Sequence, residues 1–201
     1  MNYLFLDTTD TFLTVATCFD GELTVHCDES PLRHSTTLMP AIDALVADRK
    51  SKLEAIAVNV GPGSFTGIRI GVTTAKIIAM SLGIPVIPFT SFELVAYHKK
   101  AVGHSTVVLD AGNKLFYAQD FDGCAPVANP CEWSRDDLAK ITESGAPLTG
   151  VENGACVRTQ RTKEGISALI RAKISQNVAV SYGEVEPLYI QVSQAEKEAK
   201  K

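Results

Sequence analysis

Two short stretches hold the residue types from which a phosphate site is built. Asp7-Thr8-Thr9 ends one short apolar run and Asp110-Ala111-Gly112 ends another. Threonine hydroxyls and backbone N–H groups can cradle phosphate oxygens, and a carboxylate can hold water-bound magnesium. Asp7, Thr8, Thr9, Asp110 and Gly112 are therefore the candidate nucleotide-binding set. Asp10 stands beside them as an extra carboxylate that repels phosphate, so any affinity for ATP or ADP with magnesium is expected to be weak and no cofactor is required. The simpler reading makes Asp7 and Asp110 strand-end caps, and it is preferred. No other catalytic set emerges. Ser64 has no sequence-local base, and Cys18, Cys27, Cys124, Cys131 and Cys156 form no C-x-x-C pair and no nucleophile motif. His26, His34, His98 and His104 include no His-x-x-x-His pair, so no metal site is expected.

The densest signal lies elsewhere, in Gly61-Pro62-Gly63-Ser64-Phe65-Thr66-Gly67-Ile68-Arg69-Ile70-Gly71. It joins a β-branched apolar run, Ala55 to Val60, to helix-compatible chain from Ile68 to Leu82 with Thr66 as the expected N-cap. A phosphate-binding P-loop would place Lys where Ile68 stands. A dinucleotide fingerprint would place glycine at Thr66, and a nucleophile elbow would place glycines at Pro62 and Thr66. Gly67, Gly71, Ala75 and Ala79 recur every four residues and line one helical stripe. Such small residues indicate close packing inside the domain, with docking on a partner's helix as the sharper alternative. The neighbouring face (Ile70, Thr73, Thr74 and Ile77) is left for a partner.

The elements that position these residues follow a repeated order. A strand ending at Asp7 leads to a strand Phe12 to Phe19, an Asp20-Gly21 hairpin turn and a strand Glu22 to Cys27. A helix starting near His34-Ser35 follows, with Leu38, Ala41, Ile42, Leu45 and Val46 at helical spacing and Pro40 in its first turns. Then come the strand to Val60, the long helix, Val86 to Phe89, and a helix from Ser91 to about Lys99. The later chain repeats the pattern. A strand ends at Asp110, a strand Lys114 to Asp120 leads to Asp122-Gly123, and a helix Ser134 to Glu143, a strand Pro147 to Gly150 and a helix within Lys163 to Ser175 complete it. The expectation is an α/β protein of two lobes of duplicated β-β-β-α-β-α type, residues 1–103 and 104–190, followed by a polar tail 191–201.

Composition bounds the rest. The 201 residues are 45% hydrophobic and 21% charged, an ordinary globular balance, with a net charge of −4. A chain that grips nucleic acid directly usually shows a basic face. Arg158, Arg161, Lys163, Arg171 and Lys173 could form a local patch, and a solvated helix face explains them as well. No run of eighteen apolar residues is present and Met1-Asn2-Tyr3-Leu4 has no basic leader region, so a cytoplasmic protein with reduced thiols and no membrane partner is expected.

The aspartate-ended repeat resembles the actin, Hsp70 and sugar-kinase (ASKHA) superfamily, in which two such hairpins hold ATP phosphates and magnesium across a cleft. The glycine stretch, with Ala75-Lys76 after it, resembles the bacterial TsaB (YeaZ) family. Asp7-Thr8-Thr9, Arg33-His34-Ser35 with Leu38 and Pro40, Ile84-Pro85, Ser91-Phe92-Glu93 and Pro187-Leu188-Tyr189-Ile190 extend that resemblance, densely in the first half and sparsely in the second. The chain departs from the family after Ala111, where Gly112-Asn113 replaces two basic residues. Thr149-Gly150-Val151-Glu152-Asn153-Gly154 is a thin echo of the superfamily's adenosine loop. The resemblance implies a non-catalytic scaffold in threonylcarbamoyladenosine (t6A) modification of tRNA. It implies a heterodimer with the TsaD transferase, TsaE as a third component, tRNA met only through the complex, and a homodimer through the same surface when TsaD is absent. The surface so implied carries Arg33, His34, Leu38, Ile42, Arg69, Ile70, Thr73, Thr74 and Ile77. The catalytic paralogue carries the paired histidines that this chain lacks. The rival reading is a small ATPase or kinase-like phosphotransferase using Asp7 and Asp110.

Overall fold

A computed structural model describes residues 1–28, 34–157 and 161–190. In chain order the elements are β1 (Tyr3–Asp7), β2 (Leu13–Phe19), β3 (Glu22–Asp28), α1 (His34–Val46), β4 (Ala55–Asn59), α2 (Phe65–Leu82), β5 (Val86–Phe89) and α3 (Ser91–Lys99). They continue with β6 (His104–Gly112), β7 (Leu115–Asp122), β8 (Ala125–Pro126), β9 (Cys131–Ser134), α4 (Arg135–Glu143), β10 (Leu148–Thr149), β11 (Val151–Glu152), β12 (Ala155–Cys156) and α5 (Lys163–Ser175). Contacts divide the chain into two compact units. One holds Met1–Ser91 with Arg161–Leu188, and the other Phe92–Gln160 with Tyr189–Lys201. The division differs from the contiguous lobes 1–103 and 104–190 in two places: the first unit ends at Ser91, so that α3 after its first residue belongs to the second, and the last helix returns to the first unit. The expected tail 191–201 lies outside the described residues.

The first unit is built on a five-stranded sheet of order β3-β2-β1-β4-β5. β1 pairs antiparallel with β2, β2 antiparallel with β3, and β1, β4 and β5 run parallel. The hairpin between β2 and β3 turns on Asp20 (φ 53°) and Gly21 (φ 87°), the left-handed pair that Asp-Gly favours. Strands β1, β2 and β4 are buried along their whole length. Alternate residues point to opposite faces, so both faces are covered. Leu4, Leu6, Ile56 and Val58 join Leu38, Ile42, Val46, Ile68 and Val72 of α1 and α2 in one core. Tyr3, Phe5, Ala57 and Phe89 point the other way, with the Phe5 and Phe89 rings stacked at 4.8 Å. There α5 packs against β3 and β5 with Ile166, Leu169 and Ile170 fully buried. The helix expected to complete the second repeat thus closes the open face of the first sheet.

The second unit repeats the first strands. Its sheet has the order β10-β6-β7-β8, with β9 also pairing β7; β6 and β7 are antiparallel, and β10 is parallel to β6. Phe92, Val95 and Ala96 of α3 pack on Val107, Tyr117 and Phe121. Helix α4 starts at a capping box, Ser134 with Asp137.

Pro40 stands in the second turn of α1, and the cap of α2 is Ser64 in place of Thr66. The Ser64 hydroxyl accepts from Gly67 N, and the helix already runs at Phe65, which places Thr66 inside it.

Candidate functional site

Asp7 ends β1 with a carboxylate that is 1% exposed and fully engaged by the chain itself. Its Oδ1 accepts from Thr9 N (3.1 Å), Thr9 Oγ1 (2.7 Å) and Asn59 Nδ2 (3.0 Å). Its Oδ2 accepts from Arg161 Nε at 2.9 Å, and the same guanidinium reaches Asp10 Oδ2 at 3.6 Å through Nη2. Asn59, at the end of β4, is fully buried and turns its Oδ1 to Gly61 N (3.0 Å). Ser91 closes the network. It receives Asn59 Nδ2 at 3.0 Å and donates to the Pro62 carbonyl at 2.7 Å. Charged, buried and multiply bonded pairs of this kind hold when every partner is present.

Thr8 turns away from this network toward α2. Its hydroxyl donates to the Gly67 carbonyl at 2.6 Å, and the Thr9 carbonyl accepts from Ser64 N at 2.7 Å. The Gly67–Gly71–Ala75–Ala79 stripe is buried beneath α2. A Cβ on Gly67 would overlap the Thr8 carbonyl oxygen, and one on Gly71 the Thr8 hydroxyl. The stripe is close packing inside the first unit, the first of its two expected roles.

The candidate nucleotide set divides between the two units. Asp7, Thr8 and Thr9 are buried and bonded within the first unit, while Asp110 and Gly112 belong to the second. Asp110 is exposed, and its Oδ1 accepts from Gly112 N at 2.8 Å as a strand-end cap. The adenosine-loop echo is the hairpin of β11 and β12, turned by Asn153 (φ 51°) and Gly154 (φ 74°), with Glu152 paired to Lys99 at 3.1 Å. Among the described residues no group of three or more His, Cys, Asp or Glu could hold a metal ion. Burial pushes the Cys156 thiol up to about 11, with the Asp110 charge adding to the shift, and raises Cys124 too, so neither resembles an activated nucleophile.

Of the expected partner surface, Leu38 and Ile42 are core residues at 2% exposure each. Their i, i+4 spacing marks the inward stripe of α1, so they cannot lie on its outer face. Arg33 lies outside the described residues, and His34 is half-buried at the start of α1. Arg69, Thr73 and Ile77 are exposed on α2, with Ile70 and Thr74 half-buried beside them. Sequence reasoning missed Phe65, Met80 and, on the adjacent α1, Met39, all exposed. Ile77 and Met80 are 55% and 56% exposed, and the Arg69 guanidinium lies 5.4 Å from the centre of the Phe65 ring. By length and mean hydropathy (18 residues, 1.2) α2 would pass for a membrane span. Its glycine stripe packs on Thr8, and its Lys76 donates to the Val185 carbonyl at 2.9 Å, as in a core helix with an apolar outer flank.

Arg161 is the other residue whose role was missed. It had been grouped with Lys163, Arg171 and Lys173 as a basic patch or a solvated face, yet its side chain is 10% exposed and committed to Asp7. Arg158 lies outside the described residues.

A family model described as "TsaD: tRNA N6-adenosine threonylcarbamoyltransferase" matches residues 25–190. Curated relatives include the tRNA threonylcarbamoyladenosine biosynthesis protein TsaB of Haemophilus influenzae, 32% identical over 127 residues, covering 59% of this chain and 53% of that protein. The TsaB protein of Bacillus subtilis is 47% identical over 66 residues (31% of this chain, 29% of that protein). The match thus spans about half the length of the Haemophilus relative and less of the Bacillus one. Among solved structures, YeaZ from Pseudomonas aeruginosa superposes with a TM-score of 0.74 at 18% identity, covering 94% of this chain and all of that one (100%). At that identity the likeness establishes the shared fold.

Proposed function

The chain belongs to the TsaD family, and from that premise we propose that it serves t6A modification of tRNA as a non-catalytic partner of a TsaD transferase. The observation that carries this reading is the state of Asp7. The aspartate that a kinase-like cleft would offer to magnesium and phosphate has its Oδ2 on Arg161 and its Oδ1 under three donors of the chain itself. Phosphate binding there would have to displace a buried ion pair and then face Asp10. Nucleotide is therefore not required, and any ATP or ADP affinity is weak. The histidines stand on separate elements, His26 on β3, His34 on α1, His98 on α3 and His104 on β6, and none is paired on one helical turn.

The contribution of such a partner is a surface. Along α2, Arg69, Thr73, Ile77 and Met80 form one outward stripe, with Phe65 at its start and Met39 on α1 nearby. Apolar side chains this exposed are the composition of a docking face. TsaD is the occupant proposed, with a second copy of this chain in its absence, and TsaE and tRNA are met through the complex.

The test is titration of the purified chain against the TsaD transferase, beside transfer of labelled threonine into tRNA. The chain alone should transfer none. Ile77→Arg and Met80→Arg each place a charge in the interface and should weaken the complex by about a hundredfold, since an unpaired buried charge costs several kcal/mol. Their melting temperatures should match the parent because both sites are open. Unchanged binding by both variants would move the docking face elsewhere. Transfer by the chain without TsaD would overturn the reading.

A further inference from the structure

The chain leaves or re-enters the first unit at three places: after Ser91, at Arg161 and after Leu188. All three residues are fixed at one spot, the adjacent ends of the parallel strands β1 and β4. Ser91 N donates to the Gly61 carbonyl at 2.9 Å, and the Ser91 hydroxyl donates to the Pro62 carbonyl at 2.7 Å. Arg161 Nε donates to Asp7 Oδ2 at 2.9 Å. Leu188 N donates to the Val60 carbonyl at 2.7 Å. Asn59 ties these attachments together, since Nδ2 reaches Asp7, Thr9 and Ser91 while Oδ1 holds Gly61 N. Gly61 permits the approach of the returning chain. Its φ is +115°, and a Cβ there would come within 2.7 Å of the Leu188 carbonyl oxygen.

We propose that the Asp7–Asn59 node is a common anchor for the three crossings, so that their local opening is one cooperative event. The crossings are far apart in sequence, and chain adjacency cannot couple them. The node can. Asn59 is fully buried with both ends of its amide engaged, and Asp7 is 1% exposed. Freeing Ser91 or Arg161 takes a partner from Asn59 or Asp7, and freeing Leu188 strands the carbonyl of Val60, the residue that joins Asn59 to Gly61, so in each case the remaining bonds around the node must shift. Native chains open in cooperative blocks of this kind, which amide exchange resolves.

The experiment is native-state amide hydrogen exchange on the full chain carrying Arg161→Gln or Ser91→Ala. Arg161→Gln acts at the second crossing, where it removes the Nε bond to Asp7. It should accelerate exchange by about tenfold at Ser91 and Leu188 as well as at Gly165 and Ile166 in the first turn of α5, the scale of losing one buried charged hydrogen bond. Ser91→Ala should in turn accelerate Leu188 and Gly165. Val15, in the middle of β2, is the reference and should keep its rate. Acceleration confined to the substituted crossing would refute the common anchor. Equal acceleration at Val15 would mean a global loss of stability and would refute it too. If Arg161→Gln does not fold, the Leu188 and Gly165 amides in Ser91→Ala decide the matter.

Discussion

Asp7 and Arg161 should differ sharply in what each costs to remove, and the asymmetry follows from their partners. Asp7→Ala strands four donor contacts: Thr9 N, Thr9 Oγ1, Asn59 Nδ2 and Arg161 Nε. It also leaves a guanidinium only 10% exposed without the carboxylate that its Nε meets at 2.9 Å. Removing one partner of a buried pair costs about 3–5 kcal/mol, a large part of the roughly 5–15 kcal/mol that stabilises a domain. Arg161→Ala takes one donor from Asp7 and leaves three in place, so its cost should be about 1–3 kcal/mol. The double variant should be less destabilised than the sum by about 1–2 kcal/mol, because each single change removes the same bond. The assay is urea unfolding of all four proteins followed by far-ultraviolet ellipticity, which reports on the whole chain. Trp133 fluorescence would follow β9 of the second unit instead. Additivity within about 0.5 kcal/mol, or an Arg161 variant as unstable as the Asp7 variant, would refute the network as described. ATP turnover by the parent chain that Asp7→Ala abolishes without unfolding would revive the kinase-like reading.

Gly67→Ala should lower the melting temperature severely, because the new Cβ meets a main-chain oxygen of Thr8 that cannot rotate away; an unchanged melt would show that α2 does not pack as closely as described. The thiols should separate by pH. Cys156, with burial and then Asp110 raising it to about 11, is thiolate in only about one molecule in a thousand at pH 8, whereas Cys27 is exposed. A chromogenic disulfide reagent at pH 8 should therefore label Cys27 well before Cys156, with Cys156 gaining rate as the pH climbs toward 11, and peptide mapping that finds Cys156 labelled first would contradict that environment.

Local chemistry made much of this fold legible. The Asp20-Gly21 turn, the apolar runs of β1 and β4, the stripe of α1 and the bounds of α5 all follow from short-range pattern, and the structure places them within a residue or two. What failed was choice among equivalent local signals, and pairing at long range. Ser64 and Thr66 are both good caps, and only the backbone at Ser64 (φ −54°, ψ 119°) decides between them. Leu38 and Ile42 stand at helical spacing and on the surface that the resemblance implies, and the structure buries both. Arg161 meets Asp7 across 154 residues of sequence, which no local pattern encodes. Strands β8, β11 and β12 hold two residues each and are too short for a period of two to register.

The destination of α5, though unforeseen, follows from the strands. Tyr-Leu-Phe-Leu in β1 and Ala-Ile-Ala-Val in β4 are unbroken apolar runs, and such strands must be covered on both faces. Helices α1 and α2 cover only one. β6 and β7 carry polar residues at their ends and are buried only at Val107, Val108, Tyr117, Ala118 and Phe121, so their sheet demands less cover, and α3 packs on one side of it. A third helix therefore gains more by burying Ile166, Leu169 and Ile170 on the first sheet than by staying with the second. Closing that face from the side opposite α2 also keeps the outer flank of α2 uncovered. The duplication thus loses its symmetry where the first sheet needs a second cover. The same step leaves Ile77 and Met80 exposed on the far side of the unit, which is where a partner's surface would be met.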